Sequence, residues 1–251
     1  MKKKKVVQFI AFFLLRLCLY TVLAVLLIFL YDIGRKGGGA ISWEFLSQPP
    51  RRGMTEGGIF PAIMGTFLVT IVTAVLAIPL GMFAAIYLNE YAKQSRLTRI
   101  IRLSIRNLSG VPSIVYGLFG VILFVNVLRF GTSILSAGLT LGLLTLPWTI
   151  TASEEALKTI PNSYREGSLA LGATKWQAIR PNVLPYAVPG MLTGTVLGLA
   201  RAAGETAPIL FTGAAFYLPH LPKSLSDQFM ALPYHLYIMA TQHHAIQQVR
   251  P

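Results

Sequence analysis

Arg201 and Glu205 stand four residues apart inside a stretch, Tyr186 to Tyr217, that holds no other charged residue. Ionisable side chains deep in an apolar run are costly; they face a pathway or one another. A spacing of four puts both on one helix face. The fifteen residues from Tyr186 to Arg201 correspond to about 22 Å of helix, which places the pair in the outer half of a bilayer. There Arg201 is suited to attract an anion, and Glu205 to hold the guanidinium or neutralise it when no substrate is present. A structural ion pair locking two helices would use the same two residues. Neither reading makes or breaks bonds, and no Ser-His-Asp or Cys-His constellation stands out elsewhere, so an enzyme is the weakest reading.

A second unusual stretch runs from about Ala152 to Pro185 and carries Glu154, Glu155 and Glu166. It is too long for a turn and too short for a domain. Ser163 is expected to cap a helix, with Glu166 three residues on as its capping-box partner. Tyr164, Leu169 and Leu171 supply apolar contacts, and Gly172 breaks the run. A second short helix, from about Thr174 to Arg180, sets Trp176 and Ile179 on one face, and Pro181 and Pro185 end it. A helix–Gly–helix element on a membrane surface is built to dock a partner; a hairpin packed on its own helix ends fits the same pattern.

Other chemistries find little support. No G-x-x-x-x-G-K-[ST] occurs; Gly167 to Gly172 followed by Ala173-Thr174-Lys175 lacks the Gly-Lys step, so no ATP is expected on a P-loop. His220, His235, His243 and His244 lie in a polar tail with no three or four converging ligands, and no metal is expected. The single Cys18 excludes an intrachain disulfide.

The elements that position these residues are membrane helices. Of 251 residues, 54% are apolar and 12% charged, and the mean hydropathy is +0.60; a soluble domain carries about 25% charged residues. Apolar spans are predicted over Val6–Tyr31, about Ile59–Leu88, Leu108–Leu128, Ser133–Thr151 and Tyr186–Tyr217. Each approaches the roughly 20 residues that cross a bilayer. The first follows Lys2 to Lys5 and is too long for a signal-peptide core, with no A-x-A site behind it, so it reads as an uncleaved helix. Its Arg16 extends to the interface or faces a neighbouring helix. Gly190, Gly194 and Gly198 form two G-x-x-x-G steps, which let helices approach closely. Pro79 and Pro147 are expected to kink the second and fourth spans. No sixth span is predicted after Tyr217.

The net charge of +13 suits topology better than nucleic-acid binding. Thirteen Lys and Arg fall in the N-terminus and the 2–3 and 4–5 loops, against seven in the other loops and tail. The richer side is cytoplasmic by the positive-inside rule, as is the N-terminus. The chain divides into an N-terminal transmembrane helix over 1–31, an external loop over 32–58, a core over 59–217 containing the cytoplasmic loop 152–185, and an external tail over 218–251.

These segments resemble a known family. Glu166-Gly167-Ser168, then Gly172, then Leu184-Pro185 follow the spacing of the "EAA" loop of ABC importer permeases, with Gly167 and Ser168 in place of Ala and Asn182 in place of Ile. Gly110 to Gly120, reading G-V-P-S-I-V-Y-G-L-F-G, and Ala200 to Pro208, reading A-R-A-A-G-E-T-A-P, are similar to segments of the permease subunits of bacterial phosphate ABC importers. The stretches Ile41–Leu46 and Glu56–Ile63 resemble the A-type (PstA-like) subunit rather than its C-type sister.

The resemblance implies an all-α polytopic bundle of the type I ABC importer permease fold, in which family members usually have six spans where five are visible here. It implies inorganic phosphate moving inward through the bacterial inner membrane. The expected partners are a sister C-type permease, two cytoplasmic ATPase subunits, an external phosphate-binding protein and membrane lipids. This chain would be a non-enzymatic translocation subunit without a cofactor, ATP and Mg lying on the ATPases. Glu166, Gly167, Ser168, Gly172, Leu184 and Pro185 would form the ATPase-coupling loop, and Arg201 and Glu205 would line the phosphate path. The alternatives are a permease for molybdate or sulfate, and a non-transporting regulatory scaffold suggested by the unseen sixth helix.

Overall fold

The computed structural model describes residues 2–54 and 56–241. The chain separates into two compact units, Met1–Gln48 and Pro49–Pro251. In the first, α1 (Lys2–Gly37) runs past the expected boundary at residue 31 and ends on a glycine-rich 3-10 turn, Gly38–Ala40. From Val7 to Tyr31 its apolar side chains point out in every direction; a helix apolar all round belongs in lipid. Its polar end carries an Asp32–Lys36 pair at 2.8 Å. A short α2 (Trp43–Ser47) follows, its N-terminus capped by the Ser42 hydroxyl, which accepts from the Phe45 N–H at 3.1 Å.

The second unit opens with two-residue antiparallel strands, β1 (Pro50–Arg51) and β2 (Glu56–Gly57). Then come α3 (Phe60–Ile86), which continues in a π-helical turn over Tyr87–Tyr91, and α4 (Arg96–Leu108). α5 (Ser113–Gly120) continues as a π-helical segment, Val121–Val127. α6 (Ile134–Lys158), α7 (Ser163–Ala170), α8 (Lys175–Asn182), α9 (Leu184–Ala203), α10 (Ala207–Thr212) and α11 (Leu232–Thr241) complete it.

Among the described residues, three helices are long and apolar enough to cross a membrane: α1, α3 with its π turn, and α6. Two further spans exist only as bent pairs, α4 with α5 at 101° and α8 with α9 at 64°. The third and fifth expected spans are therefore corrected. Of the third, Ser113–Val127 is one helix with a π-helical end, while Leu108 closes a separate amphipathic helix and Pro112 lies between the two. The fifth stops at Gly204 and restarts at Ala207.

Small residues bring the helices together. α3 buries Gly65, Val69, Thr73, Ala77, Gly81 and Ala85, a stripe at a spacing of four. Across it, Gly138 of α6 faces Val72, Gly142 faces Leu76, and Gly81 faces Thr149. The Thr73 hydroxyl donates to the carbonyls of Val69 at 2.8 Å and Gly138 at 3.2 Å, one bond within the helix and one across. In lipid, where no hydrophobic force separates helix from solvent, such close packing and interhelical bonds hold a bundle together. The stripe Gly190, Gly194, Gly198 does the same for α9 and α6, facing Ala156, Ala152 and Thr145 in turn. Two apolar clusters result. One gathers Val69, Tyr116, Leu141, Ile209 and Phe229; the other, beside α8, gathers Leu88, Leu157, Ile179, Val183 and Met191.

The region expected to be an external tail belongs partly to the bundle. Phe229, Met230 and Ala231 are buried, and the Leu232 N–H donates to the Thr66 hydroxyl at 2.9 Å. α11 then packs on α3, and its Ile238 is buried. Its ten residues are too few for a hydropathy signal at span length. His243 and His244 lie outside the described residues.

Candidate functional site

Arg201 sits in the last turn of α9, where a cation complements the helix dipole. Gly204 closes the helix and Pro208 lies in the first turn of α10. Glycine has low helix propensity, and proline is tolerated in a helix only where its missing N–H is not needed, at the first turn. The backbone must therefore break between Arg201 and Pro208. Glu205 lies beyond the helix end, so the expectation that the pair shares a helix face is corrected, although the two still meet. Arg201 Nε is 3.7 Å from Glu205 Oε1, an ion pair outside hydrogen-bond distance. The guanidinium lies 4.9 Å from the Trp148 ring centroid, a cation–π arrangement. Arg201 is 52% exposed and Glu205 18%. Among the described residues, the Arg201 side chain donates no hydrogen bond.

Trp148 is the member of this group that sequence reasoning missed. A Cβ placed on Gly198 would stand 3.7 Å from the Trp148 Cβ, so α9 runs close beside α6 there, and Arg201, nearly one turn on, lands on the ring. The signal present was a lone tryptophan beside Pro147 in an apolar span; its pairing with residue 201 depends on the α6–α9 register.

The two segments singled out at 110–120 and 200–208 pack on each other. A Cβ on Gly117 would stand 3.1 Å from the Ala207 carbonyl oxygen and from Pro208 Cα, and one on Gly120 would meet Thr140 and Thr212. α5 thereby packs on α10, the helix that restarts after the break.

At the other end of the bundle, α7 and α8 form the helix–Gly–helix element. Gly172 adopts φ +83°, with nothing within 4 Å of a Cβ placed on it. Glycine is required there by the left-handed backbone, not by crowding. The capping box expected at Ser163 is not formed. Asn162 takes the N-cap position with a helical backbone, and its carbonyl already accepts the Arg165 and Glu166 N–H groups. A capping box forms instead at α8, between Thr174 and Gln177. Pro181 lies within α8 rather than ending it, and Pro185 in the first turn of α9.

Glu166 and Gly167 are exposed, while Ser168 is half-buried. Two of the three positions that differ from the EAA pattern, Ser168 and Asn182, bond each other: Asn182 Nδ2 donates to Ser168 Oγ at 2.7 Å. Leu184 packs on the second cluster and Pro185 is exposed. Trp176 and Ile179 do not share a buried face: Ile179 is buried and Trp176 exposed. Nor does Leu171 make the expected contact, being 90% exposed.

Two largely buried ion pairs, absent from the sequence reading as pairs, hold this end of the bundle together: one ties α7 to the π turn after α3, the other ties α4 to α6. Arg165 of α7 meets Glu90, in the π turn after α3, through its Nε at 3.1 and 3.2 Å and one terminal nitrogen at 2.7 Å. The same guanidinium donates to the carbonyls of Ile160 at 2.9 Å and Leu157 at 3.1 Å, around the end of α6. Arg102 of α4 donates to Glu154 of α6 at 3.1 Å and to the Leu88 carbonyl at 2.7 Å. Lys175, at the start of α8, lies 5.3 Å from the Tyr91 ring centroid. α7 and α8 are thus tied to the ends of both α3 and α6.

Several bundled spans, one of them broken beside a half-exposed arginine, make this a polytopic membrane protein of the translocating kind rather than an enzyme. Residues 77–240 match the family described as binding-protein-dependent transport system inner membrane component. The chain belongs to that family of ABC importer permeases. It is 32% identical over 209 residues to the probable ABC transporter permease protein YqgI of Bacillus subtilis, covering 83% of this chain and 71% of that one. It is 44% identical over 154 residues to the phosphate transport system permease protein PstA 1 of Mycobacterium tuberculosis, covering 61% of this chain and 50% of that one. Identity to the phosphate transport system permease protein PstA of Haemophilus influenzae is 33% over 202 residues, covering 80% and 67%. The chain thus spans between half and about seven-tenths of these relatives' lengths.

Proposed function

We propose that this chain is a membrane permease subunit that passes inorganic phosphate inward, its N-terminus on the cytoplasmic side. Arg201 and Glu205 line the path. The observation that carries this reading is Arg201 itself. It is half exposed at a break between helices, steadied by the Trp148 face and by Glu205 at a distance too long for a hydrogen bond. Its forked donors are left for an oxyanion, which a guanidinium binds in bidentate fashion. The phosphate permeases among its relatives point to the same substrate.

On this reading the partners are a C-type sister permease, two cytoplasmic ATPase subunits that carry ATP and Mg, and an external phosphate-binding protein; this chain itself holds no cofactor. Residues 166–172, with Leu184 and Pro185, form the ATPase-docking element. Exposed Leu171, Leu169, Tyr164 and Trp176 on that hairpin favour docking over self-packing, since apolar groups clustered at a surface mark interaction sites.

The test is ATP-dependent uptake of labelled phosphate in a strain lacking its own phosphate importer, given this chain with its natural partners. Sulfate and molybdate serve as competitors. Phosphate uptake resistant to both is expected. Uptake suppressed by either would assign a different oxyanion, and no uptake with the chain present in the membrane would remove the transport reading.

A further inference from the structure

α4 is an amphipathic helix that touches the bundle only in part, through Arg102 on one face and Ile105 on the other, and leaves most of both faces exposed. At 3.6 residues per turn, Arg96, Arg99, Arg102 and Arg106 fall within an arc of about 120°. Leu97, Ile100, Ile101, Ile105 and Leu108 occupy the other side with Ser104 and Asn107, while Leu103 stands exposed among the arginines. Arg102 is committed to Glu154 and the Leu88 carbonyl, which fixes how the helix is rolled. Arg96, Arg99 and Arg106 have no acidic partner among the described residues and line a basic cavity of about 600 Å³. On the apolar side, Leu97 and Ile100 are exposed. In the elbow between α4 and α5, Ile105, Leu108, Val115, Phe119, Leu146 and Pro147 line a second cavity of about 520 Å³, open to the outside and almost wholly apolar.

We infer that α4 and its elbow form a binding site for an anionic phospholipid, with an acyl chain in the apolar cavity and the headgroup phosphate on Arg96, Arg99 and Arg106. The bend of 101° between α4 and α5 lays α4 near the membrane plane if α5 crosses it. A helix so placed, with an arginine face and an apolar face, sits at the boundary of headgroups and chains. Three uncompensated guanidiniums there complement a lipid phosphate, and the apolar cavity, which begins at Ile105 next to Arg106 at the same end of the helix, selects a ligand that carries a chain as well as a charge. Neither cavity is lined by Arg201 or Glu205, and the inference does not depend on which solute the permease carries.

The permease, purified with its partner subunits in mild detergent and delipidated, would be titrated with phosphatidylglycerol or with phosphatidylcholine of the same chains. Retained lipid would be counted by native mass spectrometry. Preferential retention of phosphatidylglycerol is expected. The combined Arg96→Gln, Arg99→Gln and Arg106→Gln variant should weaken that retention about a hundredfold, at roughly a few-fold per guanidinium at a membrane surface. Restoring lysine at the three positions should recover most of it. Val115→Trp, which fills the elbow, should weaken both lipids alike. Equal retention of the two lipids by the unmodified permease would overturn the inference without any variant. So would displacement of phosphatidylglycerol by millimolar inorganic phosphate, which would mark a site for the free anion. Loss of ATPase subunits from the triple variant with lipid retention intact would make the face a protein interface instead.

Discussion

At the residue scale, the two buried ion pairs carry the firmest prediction. Glu90 is 3% and Arg165 16% exposed, and the guanidinium satisfies two helix-end carbonyls besides the carboxylate. Removing one partner of such a pair leaves a buried charge uncompensated, at a cost of about 3–5 kcal/mol, whereas replacing both with apolar residues of similar volume is often neutral. Glu90→Ala is therefore expected to lower the unfolding temperature in detergent sharply, and Glu90→Leu combined with Arg165→Met to recover most of the loss. A double variant as unstable as the single would show that the carbonyl bonds of Arg165, not its pairing with Glu90, hold the loop. None of this was legible in the sequence. Arg165 and Arg102 were readable as topological charges, but their partners are 75 and 52 positions away, and no local pattern links them. The same holds for Trp148 beneath Arg201.

At the element scale, apolarity alone read the spans unevenly. α3 came close to its expected bounds, whereas α6 runs on to Lys158, about two turns into the stretch expected to be loop from Ala152, because Glu154, Glu155 and Lys158 lowered its apolarity without breaking the helix. The broken fifth span was hidden because the chain stays apolar across the break; Gly204 and Pro208 were the only marks of it. α4 was read as a loop because its arginines dominate its composition, although their three- and four-residue spacing was already helical. The coupling hairpin was legible through Gly172. Because its φ of +83° meets no neighbouring atoms, substitution there is penalised by backbone conformation alone, by about 1–2 kcal/mol. Gly172→Leu should weaken association with the ATPase subunits in a mild-detergent pull-down, and Gly172→Asn, which tolerates the left-handed region, should weaken it less. Equal association of both variants with the unmodified level would remove the hairpin from the docking surface. In α5 the constraint is space: a Cβ on Gly120 would meet Thr140 and Thr212. Gly120→Val is expected to destabilise by about 1–3 kcal/mol through overpacking, read as a lower melting temperature. An unchanged melting temperature would mean that α5 and α10 can move apart freely.

At the scale of the whole molecule, the architecture links a half-exposed arginine at one helix break to a clamped hairpin beside the ends of α3 and α6. α6 and α9 join the two places. α6 carries Trp148 toward Arg201 and Glu154 toward Arg102, and α9 leads from the hairpin to Arg201 along the glycine stripe that faces α6. A displacement imposed on α7 and α8 must move the ends of α3 and α6, and through α6 and α9 it reaches the arginine. This is the arrangement a transporter driven from its membrane surface needs.

The most direct measurement is ATP-driven phosphate uptake by the unmodified permease and by Arg201→Gln in the same membranes, with protein level and ATPase retention followed in parallel. Loss of a charge-assisted contact to the anion, at about 1.5–3 kcal/mol, should lower uptake roughly ten- to a hundredfold while protein level and ATPase retention stay unchanged. Unaltered uptake, or loss of the folded protein along with the activity, would contradict the placement of Arg201 on the path and leave it a structural ion pair.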